Sequence, residues 1–318
     1  LGQLIEKYIG RTGRRLFLLF SFLFCCIVVA AFTSMVAGTF KMSVGEAGVL
    51  DVARSYPAGA AGTISILILF GWMCRRYELS GWKQFAFAVL LIAAMFFLGM
   101  LFPTYLSLNA WIAVVMVYLV FASAMPIQTL KQPRDYLTTI MMVAMIACAV
   151  VGIVVLGVSG KATMTAPMVV SSQTLDALSA KGNYLFPVLF VSVACGALSG
   201  FHSLVSSGTS SKQVSNEADA LPVGFGAMVL ESFVGVLAVV VAAIMFSDMN
   251  TAGTGALNSG AASTPFQIFA AGVARGMTAI GINSSFATVF MTMNVSALAL
   301  TSLDAVARIA RTSFQEFF

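Results

Sequence analysis

"FPVLFVSVACGALSGFHSLVSSGTSSKQ", residues 186–213, is the stretch on which the fold turns. Its first ten residues, Phe186 to Cys195, are apolar enough to enter a bilayer. The remainder holds the only histidine of the chain, His202, among serines and glycines. In water this would read as a helix running into a polar loop. In hydrocarbon the same polar groups would need partners inside the protein, because lipid offers none.

The rest of the chain decides which solvent applies. Of 318 residues, 59% are hydrophobic and 9% charged, and the mean hydropathy is +0.96. Such a chain is counted in spans of about 20 residues, the length that crosses ~30 Å of hydrocarbon as helix. About eight are expected: 16–40, 58–74, 84–102, 109–130, 136–158, 184–205, 223–246 and 286–303. Barrel strands would show short alternating segments, and these runs do not alternate. The fold class expected is therefore an all-α polytopic membrane protein with at least one broken helix, forming a single transmembrane domain over 1–318.

Lysines and arginines set the orientation, since cytoplasmic loops are enriched in them. One side receives Lys7, Arg11, Arg14, Arg15, Arg75, Arg76, Lys83, Lys131, Arg134, Lys212, Arg308 and Arg311. The other receives Lys41, Arg54, Lys161, Lys181 and Arg275. Twelve against five places residue 1 and the carboxy terminus in the cytoplasm, provided 264–283 does not cross. That segment, "TPFQIFAAGVARGMTAIGIN" with its small residues and Arg275, is read as an external or re-entrant helix. The net charge of +5 is scattered over these loops, which argues against a nucleic-acid partner.

An ionisable group at membrane depth costs several kcal/mol unless paired or wet, so each one is a functional candidate. Helical spacing brings Ser199, His202, Ser206 and Thr209 towards one face, while Gly196, Gly200 and Gly208 permit close packing or unwinding. Either the helix breaks here to line a pathway, with Ser199, Gly200, Phe201, His202, Ser206, Ser207 and Gly208 exposed to it, or it ends and the serines cap it. Glu231 lies about nine residues, roughly 13 Å, into an otherwise uncharged span. It is a candidate coupling group, or else a protonated carboxyl bonded to a neighbouring helix. In "TSLDAVARIAR", 301–311, Asp304 and Arg308 stand at i and i+4 and are expected to pair along the helix. Asp304 is the second coupling candidate, and Thr301 and Ser302 could add oxygen ligands for a cation.

Enzymatic chemistry finds no footing. Ser199 and His202 sit one turn apart with no second histidine and no orienting acid, and neither an HExxH pattern nor a P-loop occurs. Cys25, Cys26, Cys74, Cys148 and Cys195 are odd in number with no CxxC spacing, so no disulfide framework or metal site is expected. No cofactor is expected beyond a coupling H⁺ or Na⁺.

Four stretches, "MPIQTLKQPRDYL" (125–137), "ACGALSGFHSLVSSGTSSKQ" (194–213), "LPVGFGAMVLESFVGV" (221–236) and "LTSLDAVARIARTSFQ" (300–315), resemble the carbon starvation protein A family of membrane transporters. "LGQLIEKYIGRTGRRLF" (1–17) resembles the cytoplasmic segment before an early-middle span of that family. The resemblance implies a multi-pass protein of the bacterial inner membrane that imports peptides, or in some members pyruvate with protons. It also implies kinship with inverted-repeat transporters of the LeuT type. Amino-terminal and carboxy-terminal spans of the family are missing from this sequence, so either further segments of the same polypeptide are expected partners beside the lipid bilayer, or the chain is an unusually short member of the family. The rival readings are a passive channel and a structural membrane subunit.

Overall fold

The structure is a computed structural model that describes residues 2–40, 81–101, 106–125, 127–160, 184–198, 200–250 and 265–317. Ten α-helices are described: α1 (Gly2–Ile9), α2 (Arg11–Phe40), α3 (Trp82–Leu101), α4 (Leu108–Ala124), α5 (Ile127–Val158), α6 (Phe190–Leu198), α7 (Gly200–Gly208), α8 (Ala227–Asn250), α9 (Pro265–Ala279) and α10 (Ser284–Phe317). No strand occurs among the described residues. Five helical stretches are long and apolar enough to cross a membrane, and α3, α4 and part of α9 are shorter apolar helices. The expected span at 58–74 lies outside the described residues.

Chemistry at the helix ends explains several boundaries. Gly10, at φ +101°, takes a left-handed conformation between α1 and α2 that a side chain would disfavour. Ser107 caps α4 by accepting from the Ala110 N–H at 3.4 Å. That helix stops at Ala124 instead of running to residue 130, because Met125 turns extended, and the next helix has begun by Ile127. Pro133 is accommodated inside α5.

The packing centres on α10, which at 34 residues runs about 51 Å. It is buried at intervals from Ala287 to Ser313 and touches α2, α4, α5, α7 and α9. One core cluster joins Met145 and Ala149 of α5, Val241 and Met245 of α8, Val273 and Met277 of α9, and Met291 of α10. Another joins Val36 and Phe40 of α2, Trp111 and Val115 of α4, and Ala299 and Leu303 of α10. The outer faces are as apolar as the core. On α2, Leu16, Phe20, Leu23 and Ile27 form an exposed stripe at helical spacing, opposite the buried Leu18, Ser21 and Cys25. Such a stripe is costly in water and neutral in lipid, so the bundle is a polytopic membrane protein.

Helix α9 corrects one half of the expectation for 264–283. At 15 residues, about 22 Å, it falls short of a full crossing. It is not an external appendage, because it is clamped between α5, α8 and α10 with Val273, Ala274 and Met277 buried. Glycines make the clamp: a Cβ on Gly276 would lie 3.0 Å from the Cα of Gly152 in α5, and one on Gly272 would collide with Val241.

Gly276→Ala should therefore push α9 off α5 and lower the melting temperature in detergent, by a loss on the order of 1–3 kcal/mol. Gly157→Ala is the control, since a Cβ there meets nothing within 4 Å. It should leave stability unchanged or raise it by the usual helix-propensity gain. Equal melting temperatures for Gly276→Ala and wild type would show that the crossing is loose.

Candidate functional site

The most deeply buried charges meet where α4, α5 and α10 converge. Asp304 of α10 and Arg134 of α5 are each 1% exposed. Arg134 Nη1 lies 2.6 Å from Asp304 Oδ2 and donates to the Tyr118 hydroxyl at 2.6 Å. Tyr118, on α4, donates in turn to Asp304 Oδ2 at 3.0 Å. The three groups form a closed triangle in which both donors converge on one carboxylate oxygen. The other edge of the guanidinium is different. Nε and Nη2 of Arg134 make no hydrogen bond among the described residues, and neither does Asp304 Oδ1. Asp135 Oδ1 stands 3.8 Å from Nη2.

This geometry replaces the expected Asp304–Arg308 pair. Arg308 turns instead to the end of α4, donating to the Ala122 carbonyl at 2.6 Å, and Arg311 donates to the Ser123 carbonyl. The last carbonyls of a helix lack partners within it and carry partial negative charge, so two guanidiniums satisfy them and complement the dipole. With Arg308 so engaged, Arg134 supplies the counter-charge to Asp304. Arg134 is therefore no loop cation, although its place near "KQPRD" had counted it among the cytoplasmic positives.

The opening stretch proves helical on both sides of residue 199. Residues 200–208 form α7, so the chain does not unwind at "GFHSLVSSG", and Ser199 lies outside the described residues. The hydroxyls make this possible by bonding to their own helix: Ser207 donates to the Ser203 carbonyl at 2.9 Å. Regular helix gives way only at Thr209, followed by a tighter turn over Ser210–Lys212. Ser206, Ser207 and Gly208 are exposed, and Phe201 is half-buried against the cluster of Cys25, Val306 and Ile309.

Two nominated residues from separate helices do come together. His202 Nε2 of α7 stands 3.8 Å from Glu231 Oε1 of α8, with side chains 58% and 60% exposed. Glu231 is thus not enclosed by the described bundle, despite its depth along the helix. Asp304 sits apart from this pair, facing α4 and α5 from the other side of α10. Thr301 and Ser302 are half-buried, and their hydroxyls donate to the carbonyls of Ala297 and Leu298 at 3.1 and 3.3 Å. No group of three or more His, Cys, Asp or Glu side chains that could hold a metal ion occurs among the described residues.

Sequence reasoning passed over Tyr118 and Arg134. Tyr118 left a faint signal, a phenol within "WIAVVMVYLVFASA" whose hydroxyl would need a partner at that depth. Arg134 left a misleading one, since a basic residue beside a proline reads as loop.

Comparison with known proteins agrees with the membrane architecture. The sequence matches the family described as "Carbon starvation protein CstA" over residues 1–262 and 248–318. It is 33% identical over 266 residues to the pyruvate/proton symporter BtsT of Escherichia coli, a match covering 79% of this chain and 35% of that protein. It is 41% identical over 124 residues to the peptide transporter CstA of Escherichia coli, covering 39% of this chain and 17% of that one. With the peptide transporter CstA of Bacillus subtilis it shares 30% identity over 231 residues, 64% of this chain and 37% of the relative. The chain therefore spans little more than a third of the length of these relatives at most. No solved structure matches.

Removing one member of a buried ion pair strands the other, at a typical cost of 3–5 kcal/mol. Arg134→Leu and Asp304→Leu should each destabilise the protein by about that much, while the double variant loses less than either alone. A double-mutant cycle read by thermal unfolding in detergent should give a coupling of about 2 kcal/mol or more. Additive losses would mean that the two side chains do not pair.

Proposed function

The chain belongs to the carbon starvation protein CstA family, and from that membership we propose that it serves in a secondary transporter of the bacterial inner membrane that imports small peptides coupled to a proton or another cation. The observation that carries the reading is the meeting of His202 and Glu231 at 3.8 Å on adjoining helices. Each stands out separately as a polar group in an apolar helix, and their meeting sets a carboxylate against an imidazole, the two side-chain types that serve as general acids and bases. The exposed hydroxyl of Ser206, one turn from His202, continues the same polar face, and the proposed lining of the pathway is this face together with Ser199, Gly200, Phe201, Ser207 and Gly208. Asp304 is proposed as a second coupling group. Thr301 and Ser302 are proposed as its neighbours if the coupling ion is Na⁺.

A second reading, pyruvate/proton symport, rests on the longer match, since the symporter BtsT aligns with 79% of the chain. Both readings concern a solute bearing a carboxylate. The LeuT-like inverted repeat is retained as a proposal about the architecture. Cytoplasmic placement of both ends is likewise proposed, from the distribution of basic residues.

Reconstituted full chain should accumulate labelled dipeptide or pyruvate against a gradient when the outside is acidified, and should saturate. Conduction without saturation and without response to the pH gradient would turn the reading to a passive channel. Glu231→Gln should reduce gradient-driven accumulation at least tenfold while leaving substrate exchange across the membrane measurable, because an amide bonds but carries no proton. Accumulation at the wild-type level would remove Glu231 from coupling. Orientation is checked in a cysteine-free background: a cysteine at Arg311 should be protected from an impermeant thiol reagent in intact cells, and one at Asn250 should react. The reverse pattern would invert the topology.

A further inference from the structure

Among the described residues, Arg134 is the one basic side chain in the fully buried class. It is held rigidly, with Nη1 fixed by the Asp304 carboxylate and the Tyr118 hydroxyl at 2.6 Å each. Its Nε and Nη2 atoms are buried and donate no hydrogen bond among the described residues. Those two N–H groups lie on one edge of the planar guanidinium and point the same way, which is the fork that grips a carboxylate bidentately. A fixed guanidinium whose second edge makes no hydrogen bond, with the Asp135 carboxylate 3.8 Å from Nη2, is a preorganised receptor for a carboxylate.

A charge balance limits when that receptor can be filled. At this depth Arg134 needs one counter-charge, and Asp304 supplies it. Asp135 already stands 3.8 Å from Nη2 and Arg308 is engaged by the Ala122 carbonyl, so a further carboxylate arriving beside an ionised Asp304 would add an uncompensated negative charge. If Asp304 has first taken a proton, the incoming carboxylate simply replaces it. The other charged or titratable groups around the cluster keep their own partners or distance. Arg308 donates to the Ala122 carbonyl, Asp135 stands 3.8 Å from Nη2, and Tyr118 donates to Asp304. The apolar residues of α2 and α7 packed on this part of α10 are Cys25, Phe201, Leu204 and Val205.

Resting on the transporter reading and deepening it, we propose that Arg134 is the substrate-carboxylate site, and that Asp304 and the substrate carboxylate occupy it alternately, one proton being bound by Asp304 for each carboxylate taken. The proton enters from the side of higher proton activity and bonds to Asp304. The Arg134–Asp304 ion pair opens, and the Nε/Nη2 fork closes on the solute. On release the proton leaves Asp304, which returns to Arg134. In the arrangement described here the pair is closed, with both groups shut from solvent. The site takes any small solute with an accessible carboxylate, a peptide carboxy terminus or a 2-oxo acid alike. Tyr118 is a positioning residue, since its hydroxyl bridges the two charges and holds Nη1 in place.

Four probes separate the alternatives: L-alanyl-L-alanine, pyruvate, and their amides L-alanyl-L-alaninamide and pyruvamide. Binding to the purified full chain is followed by calorimetry at pH 7.5 in buffers of different ionisation enthalpy, which counts protons taken up. At least one acid should bind about tenfold or more tighter than its amide, with close to one proton taken up. Asp304→Asn, which imitates the protonated carboxyl, should bind the acid with no proton uptake. The double variant Arg134→Gln/Asp304→Asn keeps the cluster neutral and hydrogen-bonding, so that a folded protein is available, as its melting temperature will confirm. In it the preference for acid over amide should fall to near unity. A double variant that keeps the tenfold preference overturns the proposal, and so does an Asp304→Asn protein that still takes up a proton with the acid. Wild-type protein that accumulates acid and amide equally overturns the carboxylate site and leaves the transporter reading standing. Wild-type protein that neither binds nor moves any of the four overturns both.

Discussion

A guanidinium and a carboxylate at 1% exposure cannot exist separately inside a bilayer, and much of the bundle follows from keeping Arg134 and Asp304 together. Each would cost several kcal/mol alone. Their contact fixes the height of α10 against α5, and Tyr118 adds α4 to the same level. Below it, Arg308 and Arg311 hold the end of α4 through its last carbonyls. Above it, apolar packing of Leu303 and Ala299 against Trp111 and Val115 takes over. The charged contact sets the register, and the apolar clusters supply most of the adhesion.

The position of α10 gives that register a wider reach. Asp304 and Val306 lie about 200° apart around the helix, so when Asp304 faces α4 and α5, Val306 faces away from them. On that other face Val306 belongs to the cluster against which Phe201 packs, and His202 follows next in sequence. Phe201 and the Asp304 cluster therefore lie on opposite sides of one helix. A shift of α10 along its axis would act on both. The two clusters differ in a way that suits different tasks: His202 and Glu231 are more than half exposed, whereas Arg134 and Asp304 are sealed.

How much of this was legible in the sequence follows from the range of the forces involved. Continuous apolar runs report the solvent directly, so the membrane class and spans such as 16–40 and 223–246 could be read from composition. Glu231 and His202 stood out for the same reason, as polar groups where polarity is costly. That they meet across α7 and α8 depends on tertiary packing, which leaves no local trace. The i, i+4 spacing of Asp304 and Arg308 predicted a local pair, and the structure chose a partner 170 positions away in sequence because α4 had unsatisfied carbonyls for Arg308 to meet. Helix α9 was ambiguous because its glycines, which read as weakness, allow the approach of Gly276 to Gly152 that embeds it. Serines at 203 and 207 suggested unwinding, yet a hydroxyl can bond to the carbonyl one turn back and leave the helix intact.

The sealed cluster also bears on why a membrane protein would retain a buried ion pair at all. Replacing such a pair with apolar residues is often neutral or stabilising, so stability alone gives weak grounds for keeping it. The triangle of Tyr118, Arg134 and Asp304 is moreover incomplete as a structural lock, since two guanidinium nitrogens and one carboxylate oxygen go without hydrogen bonds among the described residues. A lock built for rigidity would use those groups. Left without hydrogen bonds, they lower the cost of parting the pair, provided a replacement counter-charge is at hand when it parts. Exchange of one carboxylate for another meets that condition, because the guanidinium is never left alone and the charge enclosed by the bundle stays constant throughout.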